Sequence, residues 1–268
     1  MMMSADARAD RVRWDAIAAS YASLVGGHAD SFYRRLEPFL AEEIGDPTGQ
    51  RIWDLGCGHG WLAGLLTAGG ARVDGVDGSS ALIATARHNH PDVQFEVRDL
   101  ADEVPVEENA YDAVVCHMVL MDLPVLDPII TAVAKALRPG GRFVFSVLHP
   151  AFYNQTPSPS DSPAPWSRTV TGYLEPAQWW VESFGGHQHY HRPLEDYVEA
   201  LSRQGLLVRR LVEPPTLPRH ARSDDRWSAY ERWFATIPTM LAVSAVSAVV
   251  PDGPGPALIE VPGRSRSG

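Results

Sequence analysis

The sequence predicts an α/β fold built on a doubly wound, seven-stranded, mostly parallel sheet. Three observations predict it. Short apolar runs alternate with helix-spaced segments between residues 51 and 148, the pattern of β-α-β units with parallel strands. A glycine turn, Gly56-Cys57-Gly58-His59-Gly60, joins the first run to the next helix. Finally, Asp54, Asp77, Asp99, His117 and His149 all fall at carboxyl ends of predicted strands. Open α/β sheets bind their ligands at that edge.

Each element follows from local pattern. Trp14, Ile17, Tyr21 and Leu24 recur at helical spacing over 11–25, and Phe32, Leu36, Phe39 and Leu40 do so over 31–44. Gly45 to Gly49 breaks the second helix. The first strand is Arg51 to Leu55; the helix from Trp61 stops at Gly69-Gly70, since glycine commonly ends helices. Strand Arg72 to Val76, a helix over 79–89, and strand Val93 to Val97 follow. Ala113 to Cys116 is apolar throughout, as a central strand buried on both faces should be. A helix from Asp127 to Leu137 turns at Arg138-Pro139-Gly140-Gly141 into strand Arg142 to Leu148. Beyond it, strands on either side of Gly185-Gly186 form a hairpin, and a helix runs from Leu194 to Gln204. Leu206 to Val212 is the sixth strand; Met240 to Val249 is the seventh, an antiparallel edge. The segment 217–237 reads as irregular.

The glycine turn is a ligand platform, because glycines let the backbone turn tightly and approach a ligand closely. Its third glycine comes one residue too early for the dinucleotide fingerprint, and Asp54 stands two residues before the first. A carboxylate there repels a pyrophosphate and favours a cationic ligand without phosphates, such as S-adenosylmethionine (SAM). Asp77 lies some twenty residues on, where nucleotide-binding α/β units place the acid that accepts from both ribose hydroxyls. Its competing role is to cap the next helix, a task Ser79 or Ser80 can also perform.

Asp54-Leu-Gly-Cys-Gly-His-Gly60 resembles the first motif of class I SAM-dependent methyltransferases, in their small-molecule, ubiquinone/menaquinone-biosynthesis-like branch. The resemblance continues through Val76 to Ser79, the Asp99 region, Tyr111 to Val115 and Leu137 to Arg142. It covers roughly residues 10–150 strongly and 190–250 weakly. It implies the Rossmann-like form of this fold, with SAM as cofactor. Tyr21 would cover the pocket, and Asp54, Gly56, Cys57, Gly58 and Gly60 would hold the methionine moiety. Asp77, Gly78 and Ser79 would hold the ribose, Asp99 and Leu100 the adenine, and His117 would border the cofactor. With the composition shift after Ala151 and the proline-rich end, the resemblance divides the chain into an N-terminal helical cap (1–45), a SAM-binding core (46–150), a substrate-binding insertion or lid (151–192), the rest of the core (193–250) and a tail expected to be disordered (251–268).

Methyl transfer from a sulfonium is an in-line displacement, so positioning dominates and no metal is required. Where the acceptor must lose a proton, histidine suits neutral pH. His149, His117 and His191 are the candidate catalytic residues. His187, His189 and His191 alternate and would share one face of a strand, a set that also invites a zinc reading, although zinc ligands seldom sit at i, i+2 and i+4 of one strand. His149, Tyr173, Trp179, Trp180 and His189 are the candidate substrate contacts. The insertion is rich in aromatic residues, which fits either a packed cap or an aromatic, apolar acceptor.

Composition excludes other classes. The chain has 268 residues and a net charge of −10, the opposite of a nucleic-acid footprint. No run reaches the roughly 18 apolar residues of a membrane span. Two cysteines and no signal-type N-terminus predict a cytoplasmic protein. The partner is a small molecule, with a homodimer left open. Two alternatives stand beside methyl transfer: a non-methylating reaction on the same fold, such as a cyclisation, and a SAM-binding regulatory module.

Overall fold

The computed structural model describes residues 3–26, 30–102, 104–153, 166–217 and 225–248. Seven strands form one sheet in the order β3-β2-β1-β4-β5-β9-β8. These are β1 (Arg51–Leu55), β2 (Arg72–Asp77), β3 (Gln94–Val97), β4 (Tyr111–His117), β5 (Leu137–Leu148), β8 (Leu206–Val212) and β9 (Met240–Ser247). The pairs β1–β2, β1–β4, β2–β3 and β4–β5 are parallel, while β9 runs antiparallel to both β5 and β8. A separate antiparallel hairpin joins β6 (Ala177–Val181) to β7 (His187–His191).

The helices are α1 (Met3–Leu24), α2 (Ser31–Ile44), α3 (Trp61–Ala68), α4 (Ser80–Asn89), α5 (Asp127–Ala136), α6 (Leu194–Arg203) and α7 (Ala229–Phe234). Side chains alternate across a strand, so each central strand feeds two cores. Val114 and Cys116 of β4 join Phe143 and Phe145 of β5, with Ile129 and Val133 of α5 and Leu201 of α6. Ala113 and Val115 face the opposite way, toward Leu36 and Phe39 of α2, Leu62 of α3 and Ile83 of α4. Both faces are covered, which is why these strands read as unbroken apolar runs.

Four expectations are corrected. β9 is internal and β8 is the edge. The first six residues of β9 are buried, as an internal strand requires, whereas β8 exposes Leu207, Val208 and Leu211 and carries Arg209 and Arg210, charges that suit an edge. The Arg138 to Gly141 turn lies within β5: Tyr111 pairs with Leu137 and Ala113 with Arg142, so the intervening residues bulge out of the ladder. The irregular segment 217–237 contains α7, begun by a Ser228–Glu231 capping box. Lastly, α2 packs into the core along most of its length, and only its start, at Ser31 and Phe32, joins α1 at the ligand edge. The 251–268 tail and nearly all of the proline-rich part of the insertion, 154–165, lie outside the described residues.

Candidate functional site

The glycine turn crosses the carboxyl ends of β1 and β2. The Gly56 and Cys57 N–H groups both donate to the Val76 carbonyl (2.8 and 3.0 Å), which pins the turn against the end of β2. Gly58 N–H donates to Asp77 Oδ2 (2.9 Å) and Ser79 N–H to Oδ1 (2.8 Å). Each carboxylate oxygen keeps a lone pair for a ligand. Ser79 is the cap of α4, with Oγ accepting from Leu82 N–H at 3.2 Å, so Asp77 is not needed for that task. Gly58 has φ +54, and a Cβ there would lie 3.2 Å from the Tyr21 ring.

Helix α1 roofs this edge. Asp15 accepts from Ser79 Oγ (2.6 Å) and Ala81 N–H (3.0 Å), tying the helix to the start of α4. Arg11 forms an ion pair with Asp99, and Tyr190 donates to Asp10. Beneath α1 lies a cavity of about 430 Å³, within the range of small-molecule sites. Asp10, Asp30, Asp77, Asp99 and Asp122 line it, and the one cationic lining side chain among the described residues, Arg11, is the partner of Asp99.

Residues 53–145 match the family model described as "Methyltransferase domain". The chain has the fold of class I SAM-dependent methyltransferases. A ubiquinone biosynthesis O-methyltransferase of Alkalilimnicola ehrlichii is 35% identical over 118 residues, covering 41% of this chain and 47% of that one. The chain thus spans about half the length of the curated relatives it matches. A SAM-dependent methyltransferase of Mesorhizobium loti superposes with a TM-score of 0.67 at 26% identity, over 79% of this chain and 97% of that one. The [4+2]-cyclase SpnF shares the fold alone, with a TM-score of 0.61 at 17% identity over 89% of this chain and 95% of its own.

The fold brings Tyr21, Gly56, Gly58, Asp77, Gly78, Ser79, Asp99, Leu100 and His117 to the cavity wall. Asp54, Cys57 and Gly60 stand behind it and support the turn. Asp54 is 2% exposed at the end of β1; burial, and then the charge of Asp77, push its carboxyl up to about 7. A folded-state value above the ordinary 3.8 means stability is full below pH 4 and is lost as pH rises toward 7, by up to about 4 kcal/mol. Asp54→Asn is therefore expected to melt above the wild type at pH 8, with the gap shrinking at pH 4; thermal melts at the two pH values check it.

His117 faces the cavity with Nδ1 2.7 Å from Ser146 Oγ. Burial, helped by Arg35, pushes its imidazole down to about 4, so it is neutral at pH 7. His149 was expected to face the pocket, and it does not. Its Nε2 is 2.8 Å from Glu213 Oε1 and its Nδ1 accepts from Ala151 N–H (3.1 Å), so both nitrogens serve the chain's own structure. His191 lies away from the cavity too: Nε2 donates to the Tyr173 carbonyl at 2.9 Å.

The expected substrate contacts on the hairpin also form no part of the cavity wall. Trp179 stacks on His189 and His191, with centroids 4.9 and 5.2 Å away. Tyr173 accepts from Leu194 N–H (2.8 Å), and Trp180 lies outside under the Arg13 guanidinium. Pairing Trp179 with His189 puts those side chains on one face of the hairpin, where His189 is buried and Trp179 half-buried. Only the start of β7 and the turn before it reach the cavity, through His187, Phe184 and Ser183. Asp10, Arg11, Asp30 and Asp122 were missed. A signal for Asp122 existed, since it follows the carboxyl end of β4; those for Asp10 and Arg11 did not, because only the docking of α1 brings them there.

Proposed function

We propose that this chain transfers the methyl group of SAM to a neutral or cationic, largely apolar small molecule. The observation that carries this reading is the cavity itself: a glycine turn and Asp77 open onto a space lined by five carboxylates against one arginine already paired. Such a lining disfavours phosphates and free carboxylates, and suits a ligand carrying an ammonium and a sulfonium. The residues fit SAM, because Asp77 offers lone pairs to two hydroxyls and Gly56 and Gly58 leave room beside the backbone.

SAM supplies a methyl group on a leaving group that is already activated. The chain supplies placement, worth roughly 7–11 kcal/mol when reacting atoms are held in line. Asp77 would hold the ribose, Gly56 and Gly58 the methionine moiety, and Asp99, steadied by Arg11, the adenine. The acceptor would lie against Phe32, Met121, Tyr153, Val181 and Phe184, which also line the cavity. This assigns acceptor contact within the 151–192 insertion to its two ends. Among the described residues no helix is long and apolar enough to cross a membrane. The two free, buried cysteines support a reducing, cytoplasmic setting.

Calorimetric titration with SAM, S-adenosylhomocysteine and NAD tests the cofactor. Micromolar binding of the first two without the third is expected, and failure of both sulfur ligands would overturn the proposal. Transfer of tritium from methyl-labelled SAM to a panel of neutral hydroxy-aromatics and amines separates methylation from cyclisation or sensing, both of which would bind SAM and leave the label on it.

A further inference from the structure

Two ionisable side chains face the acceptor end of the cavity, and each keeps a buried polar atom without a hydrogen-bond partner. Asp122 ends a single 3₁₀ turn, Leu120–Asp122, just beyond β4; its side chain is 10% exposed and Oδ1 has no hydrogen-bond partner. His187 opens β7, with a side chain 6% exposed and Nδ1 likewise unpartnered. The Nε2 of His187 is 3.7 Å from Asp122 Oδ1, too long for a hydrogen bond and short enough to become one on a small movement. The imidazole rests against Trp14 of α1 (4.8 Å between centroids) and Phe184 (6.1 Å), so four chain segments converge on the pair.

An unpartnered buried carboxylate costs stability. Glu43, 1% exposed, is paired with Arg209 and Arg210, while Asp54, behind the cavity wall, leaves Oδ2 without a partner. Asp30, also on the cavity wall, accepts from Gly26, Phe32 and Tyr33 N–H and caps α2. Asp122 alone among the cavity carboxylates has neither a hydrogen bond nor a close cation. A carboxylate so placed on a cavity wall is open to a ligand that completes its hydrogen bonding.

We propose that Asp122, positioned by His187, receives the proton of the acceptor's O–H or N–H as methyl transfer occurs. This rests on the SAM reading above. The acceptor's bond to hydrogen breaks toward the Asp122 carboxylate, its freed electron pair takes the methyl carbon, and the carbon–sulfur pair stays on sulfur. The proton rests on the carboxyl group, and His187 hydrogen-bonds it in either charge state. Burial, reinforced by Asp10, pushes the Asp122 carboxyl well above the ordinary carboxylate range, the direction a proton acceptor near neutral pH needs. Burial holds His187 below its ordinary value, keeping the imidazole neutral. The other ionisable groups around the pair are Asp10 and Tyr21 from α1, Cys116 at the end of β4, Tyr153 after β5, His189 further along β7, Arg192 just beyond it and Tyr197 of α6.

The test uses the full chain bound to S-adenosylhomocysteine, with phenol as a neutral protic probe. Carboxyl-carbon NMR, with Asp122 assigned by its loss in Asp122→Asn, is expected to show ionisation within about two pH units of neutrality. His187→Gln should raise that value, and phenol should shift the resonance. Asp122→Asn should melt higher than the wild type at pH 8, keep S-adenosylhomocysteine affinity within threefold and weaken phenol at least tenfold. Asp122→Leu and His187→Asn serve if the first variants fail to fold. Ionisation in the ordinary carboxylate range, a pKa indifferent to His187, a less stable Asp122→Asn, or phenol binding that is absent or indifferent to Asp122 would each overturn the proposal. If wild-type chain binds no S-adenosylhomocysteine, the SAM reading falls instead, and the carboxyl titration alone still decides whether Asp122 is a tuned group.

Discussion

Asp77→Ala is expected to weaken SAM binding at least 100-fold while the chain stays folded. The carboxylate is held in place by Gly58 and Ser79 N–H donors, with its remaining lone pairs turned to the cavity it lines. Hydrogen bonds to a charged group contribute roughly 1.5–3 kcal/mol each, so losing two exceeds the ~0.5–2 kcal/mol of a missing helix cap. Ser79 already caps α4, which removes the capping explanation. Calorimetry with SAM, beside circular dichroism for the fold, reads the result. Unchanged affinity in a folded variant would sink the ribose assignment.

Gly56→Ala is expected to cost about 2–5 kcal/mol of stability and to narrow the cavity. Gly56 sits at φ +69, where a side chain costs roughly 1–2 kcal/mol. Its added Cβ would also lie 2.3 Å from Cγ2 of Val119, and overpacking costs about 1–3 kcal/mol more. Val119→Ala removes both methyls that the new Cβ meets. The double variant should regain the steric part of the loss and keep the conformational part, a coupling that denaturant melts of the four-member cycle measure. If Val119→Ala restores nothing, the turn tolerates no side chain for backbone reasons alone.

Local pattern carried much of this molecule. The apolar runs at 52–55, 113–116 and 143–148 announce strands buried on both faces, because each residue type must satisfy whichever core its alternation assigns. The glycines at 56 and 58 and the acid at 77 announce the cofactor edge, since backbone conformation and strand-end position are properties of neighbouring residues. What failed depended on long-range pairing. Whether Met240 to Ser247 lies inside or at the edge of the sheet is settled by Arg142 pairing with Val246 and Leu206 with Ser247, contacts across 104 and 41 residues of chain. His149 looked like a pocket residue until Glu213 claimed its Nε2, and Trp179 looked like a substrate platform until its pairing with His189 stacked the two rings together. Only the tertiary structure set His187 beside Asp122 and closed α1 over both, because the meeting of a hairpin, a strand end and a helix is decided by how their surfaces pack and leaves no periodicity in the chain.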